Sequence, residues 1–251
     1  MLCMLTPLSV QADQALENSQ AFFSPKNFSN AGQKINLLEL YTSEGCSSCP
    51  PADRWLASLV DHPKLFKSFI PIALHVSYWD RLGWKDKYAS AHFDARQRLH
   101  RQQGHSKGVY TPGFFLAGEE WRAWFSGQHL LVTSGPSNAT LESEVSKDLI
   151  GLSLLPLEKT FSSVKQPSVA YIALLGFDID SNIRAGENRG ELLQHNFVVL
   201  DYQFKKRSAD KLQWKFKAFD LPVGNKRLAF VAWVQMADDI KPIEVVGGWL
   251  R

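Results

Sequence analysis

The chain has 251 residues, of which 45% are hydrophobic and 21% charged, with a formal net charge of +3. These values fit a folded globular protein with room for one large domain or two of ordinary size. They give no case for a nucleic-acid partner, because the excess charge is small and scattered, and no apolar run approaches the roughly 18 residues that span a bilayer.

Met1 to Val10 is apolar and carries no charged side chain, and Val10-Gln11-Ala12 offers small residues at the −3 and −1 positions of a cleavage site. Residues 1–12 therefore read as the end of a secretory signal peptide, which implies a periplasmic or secreted protein. The bland alternative is an ordinary N-terminus. Residues 13–34 are polar and mixed, and read as a flexible leader. Ile35 to Tyr41 is an apolar strand, Thr42 to Gly45 a turn, and Cys46-Ser47-Ser48-Cys49 follows. From Ala52 the apolar residues Trp55, Leu56, Leu59 and Val60 recur at helical spacing, and Asp61-His62-Pro63 stops the helix. Phe69 to Val76 is a second strand. Ser77 to Tyr88 is rich in aromatic residues and turn formers, and Ser90 can cap a helix that stops at Gly104. Thr111-Pro112 precedes a short strand, Gly113 to Ala117, whose hairpin partner is Trp121 to Phe125. Leu141 to Ile150 reads as a modest closing helix.

After about residue 160 the pattern turns to strands: Val169–Leu175, Phe197–Phe204, Leu212–Phe219, Leu228–Met236 and Ile243–Trp249, separated by turn clusters at Asp180–Asn182, Gly186–Gly190 and Val223–Asn225. That succession suggests a small sandwich or barrel.

Loss of residues 1–12 would remove Cys3 and leave Cys46 and Cys49 as the only cysteines. A ring closed by so few residues constrains the unfolded chain little, so the pair is a poor staple. A reactive or metal-binding pair is the better reading. A cysteine at the carboxyl end of a strand and before a helix faces the positive end of that helix. This favours the thiolate, the attacking species in disulfide exchange. Cys46, taken as the more exposed of the two, is the expected nucleophile and Cys49 the resolving thiol.

Cys46-Ser47-Ser48-Cys49 after Leu40-Tyr41-Thr42 resembles the thioredoxin and glutaredoxin superfamily. The longer stretches Glu39 to Asp53, His75 to Trp84 and Val109 to Pro112, with Gly186-Glu187-Asn188-Arg189-Gly190, resemble the DUF1223 family of secreted bacterial proteins. The resemblance implies an α/β thioredoxin-like domain over residues 35–155, with residues 77–107 as an insertion that shapes or covers the site. Residues 160–251 would then form a β-rich, sandwich-like C-terminal domain. It also implies that Pro112 is cis and faces the cysteines, and that Thr111 offers its backbone to a substrate peptide.

Other residues admit two readings each. Glu39 is either a buried carboxylate that shuttles protons to Cys49 or a strand-end residue facing solvent. His75 is either a partner of the thiolate or metal, or a hydrogen-bonded strand histidine. Tyr78, Trp79, Asp80 and Trp84 either line the mouth of the site or pack. Arg96, Arg98, His100 and Arg101 read as a solvated helix face, and Gly186–Gly190 as a turn. No Gly-x-Ser-x-Gly, P-loop or His-Glu-x-x-His motif occurs.

Three functions follow. The first is a thiol–disulfide oxidoreductase acting on thiols or disulfides of exported proteins or peptides, with no cofactor, through Cys46, Cys49, Thr111, Pro112 and Glu39. The second is a Cu(I)-binding protein with Cys46 and Cys49 as soft ligands and His75 or His105 as a third. The third is a binding or adaptor protein with an inert disulfide.

Overall fold

The computed structural model describes residues 24–128, 130–157, 167–208, 211–222 and 227–251. The expected signal segment 1–12, the first half of the leader and the turn at 223–225 lie outside them.

Fourteen strands, two α-helices and two short 3-10 helices make up the described regular structure. The first strands are β1 (Lys26–Ser29), β2 (Asn36–Thr42), β3 (Phe69–His75), β4 (Gly113–Leu116) and β5 (Glu119–Glu120). Two strands, β6 (Ala139–Val145) and β7 (Leu149–Pro156), form a hairpin. The rest are β8 (Val169–Gly176), β9 (Ile179–Asn182), β10 (Leu192–His195), β11 (Val198–Lys206), β12 (Gln213–Lys217), β13 (Leu228–Gln235) and β14 (Glu244–Trp249). The helices are α1 (Pro50–Ala57) and α2 (Ala91–Gln102).

The main sheet has eight strands in the order β14-β13-β8-β11-β3-β2-β4-β5. A four-stranded sheet, β1-β6-β7-β12, packs on one face of its C-terminal half. The alternation within β8 and β13 explains why. Ala170, Ile172 and Leu174, with Leu228, Phe230, Ala232 and Val234, face the small sheet. Ala173, Leu175, Ala229, Val231 and Trp233 face the other way, into a core shared with Leu37, Ile70 and Leu56. Strands covered on both faces read as unbroken apolar runs, as these do.

This β-rich domain corrects the expected α/β thioredoxin-like domain followed by a separate sandwich. The described residues hold only two α-helices, and strands from both parts of the chain join one sheet through Val198 opposite Ala73. The expected leader contributes β1, paired with β6. The expected helix Leu141–Ile150 is instead the β6–β7 hairpin. Its helix-forming composition misleads, while Leu141, Ser143 and Val145 alternate inward with outward Glu142 and Glu144. Ser146-Lys147-Asp148 makes the turn between them. Trp121–Phe125 is no strand either: β5 is Glu119–Glu120, and Arg122–Ser126 forms a 3-10 helix.

The two helices lie on opposite faces of β2. Thr42 donates from Oγ1 to Asp53 of α1 (3.1 Å), whereas Glu39 and Tyr41, of opposite parity, meet Arg96 and His100 of α2. Ser90 caps α2 by accepting from the His92 backbone N–H at 3.2 Å.

Candidate functional site

The site is the turn between β2 and α1. Cys46 N–H donates to the Ser43 carbonyl and Cys49 N–H to the Cys46 carbonyl, both at 3.2 Å. Cys49 is the N-cap of α1, and Pro50 and Pro51 fill its first turn, where backbone N–H groups lack helical partners anyway. Cys46 and Cys49 form a disulfide with Cα atoms 5.5 Å apart. The Ser48 hydroxyl lies 3.3 Å from the Cys46 sulfur.

Both cysteines are fully buried, at 0% exposure. This corrects the expectation that Cys46 is the more exposed. The loop of the β9–β10 hairpin, expected only as a plain turn, is bonded to the cysteine turn. Asn188 donates from Nδ2 to the Glu44 carbonyl (2.8 Å) and to the Cys46 carbonyl (3.0 Å). The Glu187 carboxylate accepts from the Ser47 N–H (3.1 Å) and hydroxyl (2.7 Å).

Thr111-Pro112 is a cis peptide, immediately before the Gly113 that pairs with Tyr41 of β2. It therefore stands at the same end of the sheet as the cysteine turn. Trp79 links the two: its Nε1 donates to Thr111 Oγ1 (2.8 Å), and its Cβ would lie 3.2 Å from a Cβ placed on Gly45. Gln97 of α2 donates to the Tyr110 carbonyl (2.6 Å) and accepts from the Tyr78 hydroxyl (3.1 Å). Segment 77–107 thus borders the site with Trp79, Trp84 and Asp86.

Behind the turn sits a buried polar cluster. His75 and Asp86 meet at 2.7 Å through Nδ1. The His75 and His195 rings are 5.2 Å apart. Trp84 donates to Glu44 Oε2 (2.7 Å), while Glu44 Oε1 stands 3.4 Å from His195 Nε2, in ion-pair reach but not aligned as a hydrogen bond. Burial pushes the Glu44 carboxyl up, but His195, Ser181 and Trp84 outweigh it and hold the group below the ordinary value. Burial depresses His75, and Asp86 more than offsets this, so the imidazole stands above its ordinary value. Asp53, one helical turn after Cys49, is raised by burial despite the two histidines.

Glu39 is placed differently from the expected proton shuttle. Arg96 grips it from Nε (2.7 Å) and Nη2 (2.9 Å), and Tyr41 donates to it at 2.9 Å. Burial works against ionisation, yet Arg96 and His100 hold the carboxyl well below the carboxylate range. The Arg96 contact holds Glu39 on the α2 face of β2, whereas Cys49 begins the helix on the other face. Nor do Arg96 and His100 lie on a solvated face. They are buried, with Arg98 and Arg101 outside.

Cys46, Cys49 and His75 form no metal set: the sulfurs are bonded to each other and His75 to Asp86. Among the described residues no group of three His, Cys, Asp or Glu could hold a metal ion. His105 lies 3.4 Å from Glu119 and 3.6 Å from Asp239. No helix of the described residues is long and apolar enough to cross a membrane.

The family model described as "Protein of unknown function (DUF1223)" matches residues 37–235. No curated protein matches the chain. Two solved structures resemble it. One is a structural-genomics protein of Agrobacterium tumefaciens, 21% identical, with TM-score 0.54 over 85% of this chain and 92% of that one. The other is HBP35 of Porphyromonas gingivalis, 13% identical, with TM-score 0.54 over 87% of this chain and 76% of that one. At these identities the likeness concerns the fold alone.

Proposed function

We propose, on the premise that the chain belongs to the DUF1223 family, that it exchanges thiols and disulfides with exported proteins through Cys46 and Cys49. One observation carries this reading: the pair is oxidised and closes a minimal ring at the N-terminus of α1. A ring of that size adds little stability, so its chemistry is the better reason for it. Once reduced, Cys46 lies before the positive end of α1, which favours thiolate.

The reduced pair works in two steps. The Cys46 thiolate attacks a substrate disulfide, forming a mixed disulfide and expelling one substrate thiolate. The Cys49 thiolate then attacks the Cys46 sulfur and expels the second, leaving Cys46–Cys49 oxidised and the substrate reduced by two electrons. The reverse sequence oxidises a dithiol, and the reduction potential of the pair decides the direction. The apolar stretch before Ala12 supports an action outside the cytoplasm, where disulfides persist.

Replacing Cys46 with Ser is expected to abolish exchange with a model protein disulfide, followed by gel shift of alkylated thiols. Equal activity in wild type and C46S overturns the reading. The burial of both sulfurs favours a second reading, an interaction protein with an inert disulfide. That reading requires the pair to resist mild reduction and the wild type to be as inactive as C46S.

A further inference from the structure

The β9–β10 loop is bonded to the chain at the nucleophile position. Two of its side chains bond the cysteine turn: Asn188 takes the carbonyls of residues 44 and 46, and Glu187 the N–H and hydroxyl of Ser47. Gly186 (φ +76) and Gly190 (φ +92) supply left-handed backbone at the two ends of the bend. Gly186 also seats the loop on Trp84, whose Cβ would lie 3.2 Å from an added Cβ. The root of the hairpin is fixed too: β10 packs on α1, and buried His195 and Ser181 face the cluster around Glu44. Asn188 is itself buried, whereas Glu187 is exposed.

We infer that this loop is a clasp in which Asn188 and Glu187 are positioning residues that govern the access of any incoming thiol to Cys46. With the clasp shut, Cys46 is buried and closed to an attacking thiolate. With Asn188 and Glu187 released, Ser47 and the Cys46 carbonyl are freed and the sulfur is uncovered. The turn keeps its own Ser43–Cys46 and Cys46–Cys49 hydrogen bonds, so opening does not require the cysteine turn to unfold. The inference concerns reactivity toward any thiol and does not rest on the proposed exchange with exported proteins.

Reduction of the full oxidised chain by dithiothreitol tests it. One reductant thiolate attacks Cys46 and expels the Cys49 thiolate. The second reductant thiolate closes the reductant's ring and frees Cys46, so two electrons pass to the pair. Free thiols are trapped with a maleimide and counted by mass spectrometry. In the wild type the rate is expected to level off at high dithiothreitol, where clasp opening limits it. Asn188→Asp keeps the side-chain shape but loses both donors, and is expected to be reduced on the order of tenfold faster. Glu187→Ala moves the same way by less. Gln194→Ala, on the exposed side of β10, keeps the wild-type rate. Each variant is melted to show that it is folded. If Asn188→Asp does not fold, Glu187→Ala decides, together with hydrogen exchange of the wild type. The Ser47 amide must then exchange at the plateau rate of reduction. Wild type and folded clasp variants reduced at one rate, linear in dithiothreitol, overturn the clasp, whatever the outcome with protein substrates.

Discussion

Glu39 and Arg96 show what a single buried pair demands. Both side chains are almost wholly removed from water, at 0% and 4% exposure, and they meet through two charge-assisted bonds. Removing one partner leaves a bare charge in the core. Arg96→Met is therefore expected to lower the unfolding free energy by about 3–5 kcal/mol, measured by urea denaturation. Adding Glu39→Gln should restore much of the loss. A single variant as stable as wild type contradicts this account. The burial of Glu39 could be read from its apolar strand, but its partner could not. Arg96 lies 57 residues away, on a helix whose charged run looks solvated. Helical spacing separates that run, since Phe93, Arg96, Gln97 and His100 turn inward and Arg98 and Arg101 outward.

At the level of elements, the end of β3 depends on protonation. The folded His75 stands above its unfolded value because Asp86 outweighs burial. Its stabilising contribution is thus complete below an unfolded pKa of ~6.5 and is lost as pH rises through the folded value. Asp86 is held low, so its own contribution is lost only on acidification. Stability should decline above pH ~6.5 in the wild type, and His75→Gln should flatten that decline in a series of urea melts. An unchanged slope would remove His75 as its source. The long strands here were legible, because β8 and β13 are apolar on both faces and bounded by turns. The β9–β10 hairpin was not. Its strands have four residues each, their polar outer faces resemble turns, and nothing local announces that Asn188 reaches residues 44 and 46.

Across the whole molecule the two parts of the sequence are one construction. Ala73 donates its N–H to the Phe197 carbonyl, and Leu37, Ile70 and Leu74 share a core with Phe177, Val231 and Trp233. A fragment ending at residue 157 would leave that core open along β3. It is expected to show no cooperative thermal transition by circular dichroism. A melt like that of the full chain would mean that the first part folds by itself. The change of pattern near residue 160 was visible in the sequence, but a change of pattern does not reveal strand pairing. The β11–β3 junction rests on one paired position, with no signature in either strand.

Ser47 and the carboxylate that binds it are 140 residues apart in the chain. Synthesis runs from the N-terminus at ~5–20 residues per second, so the cysteines emerge roughly 7–28 s before the loop that binds their turn. During that interval the pair is open to any oxidant it meets. Completion of the hairpin then makes access depend on clasp opening. The age of the molecule, as well as its surroundings, thus sets how readily the pair is reached.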